Sequence, residues 1–314
     1  MNSIIRDVIN KTKANVKKYD VIGNSIIYTD YDNNKYVAKK YNNDLIKVYG
    51  FLKTRNFTYI PKIIFYDNGY IYKYLNDYII PDDKRMYDII KIAALLHSKT
   101  VYFKDLSLDD VKAIYEDITQ KINEAFKYYD DLIEKIEKDE FISPSGYLLL
   151  RNCSLIFSCI SFSKQTLESW YNDIKEKRRV RKVLIHNNLD TDHIIEEEKP
   201  ILISWDKAII DIPIYDFIKL YKQNYDRYDF VSLYKEYNKI FPLTDDETKL
   251  FYTILFIPDI IDFKASEFIN STKLSKLFNY LLTTNDLFMK NQAKKSEKQN
   301  DNIDKENKSV QSNT

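Results

Sequence analysis

Glycine is scarce in this 314-residue chain, which has 4 glycines and 7 prolines against 27 tyrosines and 17 phenylalanines. Loops that wrap backbone around a phosphate need glycine at fixed spacings. Gly23, Gly50, Gly69 and Gly146 each stand alone, which excludes a G-x-G-x-x-G fingerprint, a Walker A loop and a G-x-S-x-G elbow. Cysteine is nearly missing as well. Cys153 and Cys159 form neither a C-x-x-C pair nor a disulfide framework, and they fit a reducing, cytoplasmic setting. There is no excess of charge, with 48 basic and 47 acidic residues and a net charge of +1, so the electrostatic footprint of a nucleic-acid binder is lacking. The longest apolar passage, Tyr147 to Phe162, is broken by Arg151 and Asn152 and falls short of the roughly 20 residues of a membrane span. No membrane segment is read. Met1 to Asp20 is a charged amphipathic stretch rather than a signal peptide. Abundant Ile, Lys, Asn and Tyr suggest a low-GC genome.

Along the chain the hydrophobic period changes character. Residues 1 to about 18 carry apolar positions at helical spacing, Ile4, Ile5, Val8 and Ile9, and predict an amphipathic helix. Val21 to Thr29 and Lys35 to Tyr41 are β-rich runs around the turn-forming string Asp30 to Asn34, a hairpin pattern. Asp44 to Asn56 reads as a helix with Asn43 as its cap. Tyr59 to Tyr66 and Tyr70 to Leu75 flank Asp67-Asn68-Gly69, a second hairpin. From Lys84 to about Asp139 the pattern is helical. It is interrupted at Ser143 to Gly146, resumes to Lys177, gives way to a strand-rich island over Val183 to Trp205, and returns from Ile214 to about Asn291. Asn291 to Thr314 has almost nothing apolar and predicts a disordered tail. Tyrosines such as those of Tyr225 to Tyr237 are expected to pack in a core rather than to stack on bases.

Four local motifs add chemistry to this order. Tyr36-Val37-Ala38-Lys39-Lys40 resembles the kinase strand V-A-x-K. Ile92-Ala93-Ala94-Leu95-Leu96-His97-Ser98 resembles the L-A-x-L-H helix of the aminoglycoside and choline phosphotransferase family. Val183 to Ile195 looks like that family's catalytic loop, H-G-D-x-x-x-x-N between apolar strands. Ile201-Leu202-Ile203-Ser204-Trp205-Asp206, followed by Asp211 to Phe217, looks like its I-D-W-(D/E) strand and D-P-x-x-D-L segment. These matches run from Lys35 to about Tyr221, and the bacterial spore-coat kinase-like proteins are similar to the same pattern. The resemblance implies an α+β, bilobal protein-kinase-like fold: a small β-rich N-lobe over residues 1–76, a larger helical C-lobe over 77–290, and the tail over 291–314. It implies ATP and Mg²⁺ as cofactors, with Lys40, or alternatively Lys39, on the phosphates and Ala38 facing the nucleotide beside Lys40. His186 would brace the loop, and Asp216 would tie it to the following helix. His97 is expected to be a packing residue.

At the reacting positions the sequence departs from the family. Phosphoryl transfer in this fold uses an Asp base, an Asn metal ligand five residues later and the Asp of I-D-W. Those positions hold Asn188, His193 and Ser204. An amide cannot accept a proton at physiological pH, His is a poor ligand for Mg²⁺, and a serine hydroxyl lacks the charge that offsets a divalent cation. The expectation is a pseudokinase that binds a small molecule or protein partner in the inter-lobe cleft. The competing expectation is an active phosphotransferase on a small hydroxyl compound, with Asp190 as substitute base and Asp192 and Asp206 as substitute metal ligands. The glycine-poor hairpin over Val21 to Tyr41, with aspartates in its turn, would also grip phosphate weakly.

Overall fold

A computed structural model of the chain describes residues 3–12, 14–23, 25–40, 44–66 and 69–311. The fold is α+β, with a β-sheet N-terminal region and a helical C-terminal part. Its helices are α1 (Ser3–Thr12), α2 (Asp44–Thr54), α3 (Asp82–Thr100), α4 (Leu108–Glu137), α5 (Pro144–Lys177), α6 (Ile214–Asn224), α7 (Phe230–Ile240), α8 (Asp245–Leu255) and α9 (Glu267–Gln311). The strands are β1 (Val16–Ile22), β2 (Ser25–Asp30), β3 (Lys35–Lys40), β4 (Ile63–Tyr66), β5 (Gly69–Lys73), β6 (Tyr102–Asp105), β7 (Arg179–Ile185), β8 (Ile194–Glu196), β9 (Pro200–Leu202) and β10 (Ile209–Asp211). The chain divides into two compact units. One comprises 1–102, 181–220 and 236–241; the other comprises 103–180, 221–235 and 242–314.

The first unit is built on an antiparallel sheet in the order β1-β2-β3-β5-β4. Strand alternation gives this sheet two different faces. On one, Val8 of α1 packs with Ile26, Tyr28, Ala38 and Ile71, and Tyr28 stacks on Tyr36 at 5.2 Å. On the other, Val37 is paired with Tyr72 and Lys39 with Tyr70. Tyr49 of α2 meets Phe65 edge-on at 5.9 Å, beside the Tyr70 and Tyr72 rings, which stack at 6.2 Å. β7 carries the buried run Val183, Leu184 and Ile185 and pairs antiparallel with β10, Ile209 opposite Ile185. The Leu184 N–H donates to Thr100 Oγ1 of α3 at 3.1 Å. β8 and β9 form a short hairpin, held to the segment after α2 where the Leu202 N–H donates to the Tyr59 carbonyl at 2.9 Å.

The second unit is helical. Its α4 starts on a reciprocal cap, with Ser107 accepting from the Asp110 N–H and Asp110 accepting from the Ser107 N–H. α5 is long and apolar enough to cross a membrane by length and composition, yet it packs along α4, α8 and α9 and buries Ile156, Leu167, Trp170 and Ile174. Ser163 Oγ donates to the Thr253 carbonyl at 3.0 Å. The tyrosines of this unit pack as expected, Tyr221 edge-on to Phe230 at 5.0 Å and Tyr234 stacked on Phe251 at 5.6 Å.

Several sequence expectations shift. The N-terminal helix stops at Thr12, and Val16–Ile22 is a strand that hydrophobic periodicity hides because six of its seven residues are exposed. Val21 to Thr29 is two strands, since the chain reverses at Gly23, at φ +55°, with Ile22 opposite Ser25. The Asp30–Asn34 turn joins β2 to β3 in the antiparallel hairpin that the sequence predicts, and β1 is an added strand paired with β2 across Gly23. Helix over 84–139 is broken by β6. Asn43, Asp67 and Asn68 lie outside the described residues, as do the side chains from Lys294 onward, on which the expected tail falls. A Cβ added at Gly23 would meet open space, so the backbone angle alone sets the cost of replacement. Gly23→Ala is expected to lose about 1 kcal/mol, and Gly23→Asn less, in urea unfolding.

Candidate functional site

The residues that carry the motifs converge within the first unit. β7 leads into His186, which is fully buried against Trp205, ring centroids 4.6 Å apart and nearly perpendicular. His186 Nε2 lies 2.9 Å from the Ile203 carbonyl oxygen and donates to it, joining the loop after β7 to the segment after β9. Asn187 takes φ +57°, and its N–H donates to Asp216 Oδ1 at 2.6 Å. The His186 N–H donates to Asp216 Oδ2 at 2.8 Å, and His97 Nε2 lies 3.2 Å from the same oxygen. His97 Nδ1 in turn lies 2.6 Å from the Tyr237 hydroxyl, so this histidine packs and braces, as expected of it. Asp216 is 2% exposed. Burial would raise its pKa, but the His97 hydrogen bond, His97 and His186 charge and the His186 N–H outweigh it and hold the carboxyl below its ordinary range.

The reacting positions follow. His193, on a short 3-10 turn over Thr191–His193, donates from Nδ1 to the Asn188 carbonyl oxygen at 2.7 Å, and its ring lies against the Asn188 amide. Asn188 Oδ1 accepts from Lys207 Nζ at 3.3 Å. Lys219 Nζ donates to the Asn187 carbonyl at 2.6 Å. Asp190 is half-buried and Asp192 exposed. Asp190 accepts from its neighbour, Thr191, at 3.2 Å. Ser204 sits at φ +64° and opens the 3-10 turn Trp205–Lys207, where Asp206 is exposed. Ser204 Oγ accepts from Lys39 Nζ at 3.5 Å.

The lysine that reaches this loop is thus Lys39, the alternative, while Lys40 is exposed at the strand end. Ala38 is correspondingly on the α1 face and not beside Lys39. The reason is the two-sided burial of β3: the α1 face takes Ala38, and alternation sends Lys39 to the tyrosine face. Burial lowers the Lys39 pKa and the Asp206 carboxylate opposes that. The same two causes, burial and then Asp206, push Tyr70 up and Tyr72 to about 12. Burial raises Tyr49 as well. Motif reading missed these three phenols, because nothing in a tyrosine-rich sequence marks which rings face the loop. Among the described residues, no group of three or more His, Cys, Asp or Glu side chains is placed to hold a metal ion.

No protein-family model matches the sequence, and no curated protein matches it. Solved structures do. An aminoglycoside phosphotransferase from Alicyclobacillus acidocaldarius superposes over 90% of this chain and 92% of its own, at 12% identity and a TM-score of 0.60. The chain has the aminoglycoside phosphotransferase fold. A spectinomycin phosphotransferase complexed with AMP matches at 12% identity over 91% of this chain and 92% of that one, TM-score 0.52. The same enzyme with ADP and spectinomycin matches at 10% identity over 92% and 97%, TM-score 0.50.

Two measurements check the brace in this phosphotransferase fold. Asp216→Ala would leave two backbone N–H groups and His97 without an acceptor and should cost about 3–5 kcal/mol. The second concerns His186, whose pKa burial pushes down to about 4. The unfolded chain takes up that proton near the ordinary histidine value of about 6.5, so the unfolded state binds more protons in between. Stability should therefore fall as pH drops from about 6.5 to 4, by about 3 kcal/mol from this group. In His186→Asn, chemical unfolding across that window should be flatter by this amount.

Proposed function

We propose that this chain is a phosphotransferase-fold protein that has lost phosphoryl transfer and acts by binding a ligand or partner at the loop site, in the cytoplasm. The observation that supports this most is the mutual closure of the replaced groups. Asn188, where a base should stand, has its amide oxygen taken by Lys207 and its carbonyl by His193. His193, where a metal ligand should stand, has spent Nδ1 on that bond. A neutral amide offers no lone pair basic enough to deprotonate a hydroxyl. Mg²⁺ takes oxygen ligands in a near-octahedral shell, and a neutral hydroxyl on Ser204 with an imidazole at His193 does not supply one. The donors present do not fit the family's magnesium site. Losing these charges together removes the electrostatic stabilisation on which phosphoryl transfer mostly depends. Both cysteines are free thiols, in keeping with a reducing compartment.

The contrary reading, a working phosphotransferase with a rearranged carboxylate set, rests on Asp206, whose charge opposes the effect of burial on Lys39. A turnover measurement separates the two. With ATP and Mg²⁺ and a panel of aminoglycoside and amino-alcohol acceptors, ATP consumption should stay at the level of a protein-free control. Mg²⁺-dependent consumption that disappears in Asp190→Asn or Asp206→Asn would establish the enzyme reading instead.

A further inference from the structure

The two neutral replacements share a feature that the loss of catalysis does not explain: each carries a lysine ammonium. Lys39 Nζ lies 3.5 Å from Ser204 Oγ, and Lys207 Nζ lies 3.3 Å from Asn188 Oδ1. They reach the site from different elements, β3 and the 3-10 turn over Trp205–Lys207. A third ammonium, Lys219, is fixed on the Asn187 carbonyl at 2.6 Å. Where the family pattern holds the carboxylate of a base and the carboxylate of a metal ligand, this loop holds two neutral acceptors, each hydrogen-bonded by a lysine ammonium.

From this juxtaposition we infer that the site binds a polyphosphate, such as the triphosphate of a nucleotide, without a divalent metal, Lys39 and Lys207 supplying the positive charge. The inference rests on the non-catalytic reading above and names its ligand class. An ammonium is a compact point charge with three donors and serves as a phosphate binder. The carboxylates around these cations must be weighed. Asp216 is buried and held by three donors. Asp190 points its oxygen at Thr191, and Asp192 and Asp206 are exposed. Asp206 is the carboxylate that acts on Lys39. A single acid there offsets only part of the ammonium charge and is too few ligands for Mg²⁺.

That residue gives the test its sign. If metal carries the phosphate, Asp206→Asn removes a ligand and weakens binding. If ammonium groups carry it, the same change removes a repulsion and leaves binding equal or tighter. Calorimetric titration of the full chain with ATP, and separately with inorganic tripolyphosphate, would be run in Mg²⁺ and in excess EDTA. The expected result is the same affinity in both buffers, falling with added salt. It should weaken about tenfold or more in Lys207→Met and in Lys39→Met and hold or improve in Asp206→Asn, with thermal melts showing each variant folded. Binding that requires Mg²⁺, that survives both lysine changes, or that is missing for both probes overturns the inference. Absent binding together with absent turnover would remove this inference alone. Mg²⁺-dependent turnover would remove the non-catalytic reading itself.

Discussion

A single buried carboxylate organises the loop site. Asp216 takes the backbone N–H groups of His186 and Asn187 and faces His97 Nε2, so α6, the end of β7 and α3 meet on its two oxygens. A charge at 2% exposure is tolerable only because each of these partners stabilises the ionised form. The dependence also runs the other way. Asn187 can hold its left-handed turn because its N–H has a strong acceptor, and that turn aims Asn188 at Lys207 and His193. His186, fixed from below, then reaches the Ile203 carbonyl and sets where Ser204 begins the second loop. The positions of both reacting segments follow from one ion and its donors.

The glycine shortage has a structural counterpart in asparagine. Among the described residues the positive-φ positions outside glycine are Asn33, Asn56, Arg178, Asn187 and Ser204. Asparagine tolerates this region better than other side chains because it hydrogen-bonds locally. Asn187 falls where the family pattern H-G-D has its glycine, so the turn that glycine usually serves is kept with a different residue. Asn33 closes the β2–β3 turn, where the Asn33 N–H donates to the Asp30 carbonyl at 3.2 Å. A low glycine count therefore says little against tight turns in an asparagine-rich chain. It still counts against backbone phosphate cradles, which need the missing side chain as well as the unusual angle.

Much of the architecture was legible because it is written in strong local signals. The apolar run before His186, the stripe from Ile89 to Leu96 and the order of strands before helices led to the fold. Two kinds of information were hidden. β1 shows no alternation because it is exposed along its length, so periodicity could not separate it from the helix before it. In β3 the identity of the inward lysine depends on which face α1 covers, and Ala38 beside two lysines fits either register in isolation. The Lys207 and Lys219 contacts were beyond reach for a similar reason: a lysine in a loop looks solvated until its acceptor is placed. What separates residues is their partners, and partners from distant parts of the chain are set by tertiary packing.

The bonds that hold the loops and the groups that would react draw on different atoms. His186 braces through a ring nitrogen and a carbonyl, Asp216 through backbone N–H groups, and His193 through the Asn188 carbonyl; none of these uses the Asn188 side chain or the Ser204 hydroxyl. The fold can therefore keep its loop geometry whatever stands at those two positions, provided the local charge stays balanced. Replacing two carboxylates by neutral groups would by itself leave nearby lysines with less counter-charge, a change of several kcal/mol at close range in a partly desolvated site. Each ammonium here has a neutral acceptor, and the exposed Asp206 carboxylate opposes the effect of burial on Lys39. In that arrangement the two loops present ammonium groups where the family pattern presents carboxylates, so the substitutions at Asn188 and Ser204 change the sign of the local charge and not only the identity of the groups.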